Sequence, residues 1–183
     1  MALHEAAHLI AAISARGYIS HVQISQTLKP KRYPGGSVGS AQVLPAEDAF
    51  VSFAGVAQEW LIVANNPNRE GSYDRSYADQ LQGVEESREA DINPLVVLRA
   101  AQQFVAECDQ VITYGAVGIL CLMTTKGRLE GRNLKHFLNW LRPQVPPIAK
   151  YLKTDRLNTG VWSPCGLDGQ RADWLHQVKL CRL

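Results

Sequence analysis

Residues 1–12 read MALHEAAHLIAA, with two histidines four residues apart and a glutamate directly after the first. Leu3, Ala7 and Ile10, with Leu9 and Ile13, recur at helical spacing, and Gly17 supplies a stop signal, so the spacing predicts a helix over 2–16. On a helix, residues i and i+4 lie on one face about a turn apart. His4 and His8 can then offer two imidazole nitrogens to one metal ion. A catalytic zinc takes three protein ligands and keeps a fourth position for water. Glu5 would stand beside that water and take its proton as the oxygen attacks a peptide carbonyl. H-E-x-x-H on a helix therefore points to metal-dependent peptide hydrolysis, provided that a third ligand exists. The competing reading is a surface helix with two solvated histidines.

Two physical demands weigh on the first reading. His4 falls in the first helical turn, where helices fray. The free amino group and the positive end of the helix dipole both oppose a nearby dication. A working site requires that this turn be pinned by packing or by upstream residues.

The third ligand is not local. The metzincin pattern requires a glycine and a histidine where this chain has Ala11 and Ser14. From Leu9 to Ala46 there is no acidic residue, which removes the arrangement with a glutamate about 20 residues on. His21 is the only other classical ligand in that stretch. Glu47, Asp48, Glu59, Glu70, Asp74 and Asp79 are the next carboxylates downstream.

Bulk properties set the frame. A chain of 183 residues with 46% hydrophobic and 20% charged residues is an ordinary globular composition, sufficient to bury a core. A net charge of +2 does not argue for nucleic acid, and the KPKRY turn carries only three cations. Cys108, Cys121, Cys165 and Cys181 lack C-x-x-C spacing, so no structural zinc knot is indicated. No secretory leader is evident, and no apolar run reaches the roughly 18 residues of a membrane span. The expectation is a cytoplasmic protein with reduced thiols.

The order of elements can be read coarsely. HVQIS (21–25) and VGSAQVL (38–44) suit short strands, separated by the turn-rich stretch Lys29 to Gly36. Pro45, with Glu47 and Asp48, opens a helix expected to reach about Val63. A more polar helix is expected from Ser76 to about Ala90, and Asn93-Pro94 caps a fourth whose course past Gly115 and Gly118 is open. Leu134, Phe137, Leu138 and Leu141 mark another, and a last helix is expected over Arg171–Cys181. The fold class expected is mainly α with one small β-sheet (α+β).

HEAAH, strand HVQIS, strand VGSAQVLP, the helix with AGVAQEW and the polar loop leading to YADQLQ come in that order. This order resembles the peptidase domain of FtsH-type membrane AAA proteases, over roughly residues 1 to 141. There the motif is typically HEAGH, followed by a strand ending in L-P, a G-x-A-A-E-E helix and a ligand aspartate at a helix start. GRLEGRNLKHFL is also similar to the family's closing pattern. The chain departs from the family in Ala7 for the usual glycine and in the wording of SYDRSYAD. It contains no G-x-x-x-x-G-K-[ST], so it carries no P-loop of its own.

The resemblance implies a zincin-like helical peptidase domain over 1–142, with an extension of unassigned role over 143–183. It implies Zn2+ held by His4, His8 and Asp79, with Asp74 as the competitor, and Glu5 as general base. Gly55, Ala57 and Glu59 fall on the G-x-A-x-E pattern. Glu59, inside an apolar helix, needs a partner, which a ligand histidine would supply. Asp79 also reads as a helix-start carboxylate after Ser76. Gly39, Ser40 and Ala41 would let a substrate backbone approach a strand edge. His136 and His176 read as structural or exposed. The expected activity is ATP-independent cleavage of a protein or peptide substrate, with no nucleic acid and no membrane span. The rival is an inactive peptidase-fold module that binds or regulates.

Overall fold

A computed structural model describes residues 1–24, 36–42, 44–65 and 77–152. Most of the basic turn, Glu70, Asp74, Ser76, His176, Cys165, Cys181 and the helix expected at Arg171–Cys181 lie outside the described residues. The chain is mainly helical with one three-stranded sheet, as the patterning predicts.

Helix α1 (Ala2–Ser14) is the hub of the molecule: every residue from His4 to Ser14 is buried. It packs against α2 (Pro45–Asn65), which is buried without a break from Ala49 to Glu59. Helices apolar all round belong in a core, and these two have no solvent face over most of their length. Met1, Ala2 and Leu3 are themselves packed against the core, and Glu5 N–H donates to Met1 C=O at 3.0 Å. Packing thus pins the turn that carries His4.

Helix α4 (Pro94–Leu122) completes the bundle. Asn93 caps it, its side chain accepting from Leu95 N–H at 3.0 Å, with Pro94 at the first helical position. Its inward stripe of Phe104, Cys108, Ile112 and Ile119 is buried, and Phe104 meets Phe50 of α2 edge to face at 5.2 Å. The helix runs straight through the glycines that left its course open. Gly118 is where the ring of Phe137 presses on its backbone, and a Cβ there would collide with that ring. Phe137 belongs to α5 (Gly131–Leu141), whose buried residues are Leu134, Phe137, Leu138 and Leu141. By length and composition alone α4 could cross a membrane, although its stripe facing α1 and α2 is core. The chain stays in this core through Ile148 and Leu152, with Ser14 Oγ donating to Pro146 C=O at 2.7 Å.

The sheet has the order β2-β1-β3, wholly antiparallel. Strand β1 (Tyr18–Ile24) begins earlier than 21 because Tyr18 and Ile19 pair with Ala41 and Ser40 of β2 (Gly36–Ala41). That pairing also moves β2 back from 38–44. Strand β3 (Arg128–Glu130) is only three residues long, too short to show alternation in sequence. The register places Val22 between Val38 and Leu129, and the buried Val22 and Leu129 lie in the core. Strand β2 is an edge, with one side unpaired among the described residues. Helix α3 (Tyr77–Glu89) is polar, as its sequence predicts, and buries only Gln80, Gly83 and Ser87.

Candidate metal centre

Three elements far apart in sequence converge on the outer end of α1. His4 and His8 sit one turn apart, and their Nε2 atoms approach to 3.0 Å. Asp79, in the first turn of α3, brings Oδ2 to 3.0 Å from His4 Nε2 and 3.9 Å from His8 Nε2. These atoms lie within 4.8 Å of one another, and this His/His/Asp cluster can coordinate a metal ion. A tetrahedral ion with bonds of about 2.0–2.1 Å holds its donors about 3.3 Å apart. The three separations bracket that value. The cluster is consistent with a zincin-type metal-binding motif.

One outer nitrogen is held by a hydrogen bond, and the other faces a carboxylate. His8 Nδ1 donates to the Val51 carbonyl of α2 at 2.7 Å, which leaves Nε2 as the inward lone pair. His4 Nδ1 lies 3.2 Å from Glu59 Oε1. Glu59 is buried, so the carboxylate inside an apolar helix does face a histidine. Burial opposes a proton on His4, but Asp79 and Glu59 outweigh it and raise its pKa to about 9. Burial likewise opposes ionisation of Asp79, yet the two imidazoles hold its carboxyl well below the ordinary aspartate range. A metal must displace the His4 proton to bind.

Helix α2 can pass this close only because Gly55 has no side chain. A Cβ at Gly55 would collide with His8 Nε2 and come within 2.8 Å of His4 Nε2. Gly55 therefore leaves open the space in front of both imidazoles. The small-residue run around it is the only sequence signal for that clearance.

Glu5 shares the cleft. It is 2% exposed, and its Oε2 has no hydrogen-bond partner. Burial raises its pKa, against the pull of His8 and His4. Gly36, the first residue of β2, lies over this carboxylate, and a Cβ there would collide with Glu5 Oε1. The sequence points to Gly39, Ser40 and Ala41 on this strand and carries no signal for Gly36. Ser40 and Ala41 line the cleft, whereas Gly39 is packed against the His21 ring. The cleft is about 570 Å³ and also takes in Val38, Gln42, Asp48, Ser52, Gln82 and Glu86.

Other residues stand apart. His21 pairs with Gly39 in the sheet, and its Nδ1 lies 2.9 Å from Ser20 Oγ. His136 is exposed on α5. Of the described downstream carboxylates, Asp79 is the one that joins both histidines as a possible third donor. No family model matches the chain, and neither a curated protein nor a solved structure is significantly similar to it.

The Glu59 contact predicts a graded effect. Glu59→Gln keeps the shape but removes the charge behind His4. Partners of this kind typically contribute about 10- to 100-fold in metal affinity. Competition with a chelating dye should show a loss of that order, with the fold retained. An unchanged affinity would mean that Glu59 does not orient His4.

Proposed function

We propose that this protein is a zinc-dependent endopeptidase of FtsH-like type. The observation that carries the reading is the convergence of His4, His8 and Asp79 beside a buried carboxylate with an unpartnered oxygen. Two imidazoles and one carboxylate form a donor set suited to zinc, with a position left for water. When bound there, zinc supplies a Lewis acid and lowers the pKa of its water towards neutrality.

The chain's own residues supply the rest. Glu5 takes the proton of the attacking water through its unpartnered oxygen and hands it to the leaving amine. Gly36, having no side chain, lets β2 close over that carboxylate without a collision. The free edge of β2 offers backbone donors and acceptors to an extended peptide, and Ser40 and Ala41 border its path. The Val51 carbonyl keeps the His8 imidazole turned inwards, and the Glu59 carboxylate lies behind that of His4. The substrates are unfolded segments, flexible peptides or one dedicated protein, whose chain can lie extended along β2. The same reading places the chain in the cytoplasm.

The test is hydrolysis of an unfolded protein or a mixed peptide library by purified, zinc-loaded protein. Cleavage should stop on complete chelation and return with zinc. Cleavage that persists after the metal is removed would rule the mechanism out. Stoichiometric zinc without any cleavage would favour the inactive binding module.

A further inference from the structure

The last turns of α4 carry an apolar surface that the fold does not cover. Tyr114, Val117 and Cys121 follow at three- and four-residue spacing on one face, with Leu120 beside them. Tyr114, Val117 and Leu120 are 45%, 55% and 51% exposed. The opposite side of the same turns is core, where a Cβ at Gly115 would rest 3.4 Å from that of Ala6 in α1. Helix α5 extends the surface. Trp140 is 52% exposed, stacks on Phe137 and lies 6.5 Å from the Tyr114 ring. Phe137 is itself pressed against Gly118, so the Trp140 ring has a fixed support. Single exposed apolar residues are ordinary, but a contiguous set with a polar rim marks an interaction face.

The charges beside this face have one sign. Arg132, His136 and Trp140 follow at four-residue spacing along α5, and all three are exposed. In residues 113–142 the only acid is Glu130, which pairs with Arg128 at 2.7 Å. Lys126, Arg132, Lys135 and Arg142 are exposed and belong to no ion pair among the described residues. The whole chain is divided in the same way. Residues 1–112 hold 8 Lys or Arg against 13 Asp or Glu, whereas residues 113–183 hold 11 against 4. The net charge of +2 is therefore −5 in the first part and +7 in the second. The residues beyond Leu152 carry five of those cations and three of those acids, so their sequence adds to the positive side. Such asymmetry points to an anionic surface as partner.

We propose that this face of α4 and α5 docks on an anionic lipid bilayer, lying in the headgroup region. Val117 and Leu120 enter the acyl boundary, Tyr114 and Trp140 suit the interface, and the cations meet the anionic headgroups. The helix lies on the bilayer because its other stripe, with Phe104, Ile112 and Ile119, is buried in the core. A nucleic acid would match the charge but leave the exposed apolar side chains without a partner. A second copy would match the apolar face but bring like charges together. The proposal is independent of the chemistry at the metal cluster.

The experiment is co-sedimentation of the full chain with phosphatidylcholine vesicles, with and without about one-third phosphatidylserine. Each cation near such a surface strengthens binding by about fivefold, so the anionic vesicles should bind at least about tenfold more tightly. That preference should fade as salt rises from about 0.1 M to 1 M. Val117→Glu combined with Leu120→Glu should weaken binding at least about tenfold, with thermal midpoint and metal content held, since both positions are exposed. Arg132→Glu combined with Lys135→Glu should remove the preference for phosphatidylserine. No binding to either vesicle, or binding unmoved by both double variants, would overturn the proposal. So would binding of duplex DNA in place of vesicles, or dimers in solution that Val117→Glu dissociates.

Discussion

Glu5→Gln is expected to lower peptide hydrolysis by about a thousandfold, within the range that a general base contributes, while the metal content stays at that of wild type. The carboxylate is 2% exposed, and one oxygen has no partner. Glutamine has the same shape, so the surrounding helices keep their packing, but its amide cannot accept the proton of an attacking water. Burying an unpaired polar oxygen is itself destabilising. Glu5 is in that state within α1, a helix buried from His4 to Ser14, and under the backbone of Gly36. The thermal midpoint of Glu5→Gln should therefore hold or rise. Lost activity with an unperturbed fold and full metal would fit a reacting group. Activity within a few-fold of wild type would remove Glu5 from the chemistry.

The second large effect is expected at a residue with no side chain. Gly55→Ala should reduce metal affinity at least about a hundredfold, because its Cβ would displace the donor atoms of both histidines. The new methyl would collide with His8 Nε2 and sit 2.8 Å from His4 Nε2. Helix α2 cannot back away cheaply, since Ala54, Val56 and Ala57 beside it are buried at 3% exposure or less. Overpacking of this kind costs about 1–3 kcal/mol, so a cooperative fold should survive with a lower midpoint. Metal titration and thermal unfolding of the same sample read the two effects separately. Full metal affinity in Gly55→Ala would mean that α2 lies further from the imidazoles than this geometry has it.

Where the chain obeyed local rules, its sequence was readable. The i, i+4 histidines, Pro45 opening α2 and Asn93-Pro94 opening α4 all reflect interactions within one turn. Asp79 had a local explanation as a helix-start carboxylate, and only the family-like order of elements linked it to residues 75 positions away. Asp79 lies in the first turn of α3 and touches His4. What stayed hidden depends on tertiary approach. Gly36 sits over Glu5, Gly55 clears the imidazoles, and Gly118 meets Phe137, yet a glycine in sequence does not declare what presses on it. Strand β3 exists because β1 offers it a partner, and three residues carry no pattern alone. The worry about a fraying first turn was answered by Met1, Ala2 and Leu3 packing on the core, which helix propensity could not reveal.

The central claim is that His4, His8 and Asp79 hold one metal ion between α1 and α3. The most direct measurement is the zinc stoichiometry and affinity of wild type beside Asp79→Ala, the ligand with the least local signal. The expected result is one zinc per chain in wild type and less than about a tenth of that in the variant, because two imidazoles alone make a weak, open site. No zinc uptake by wild type, or equal stoichiometry and affinity in the two proteins, would contradict the account.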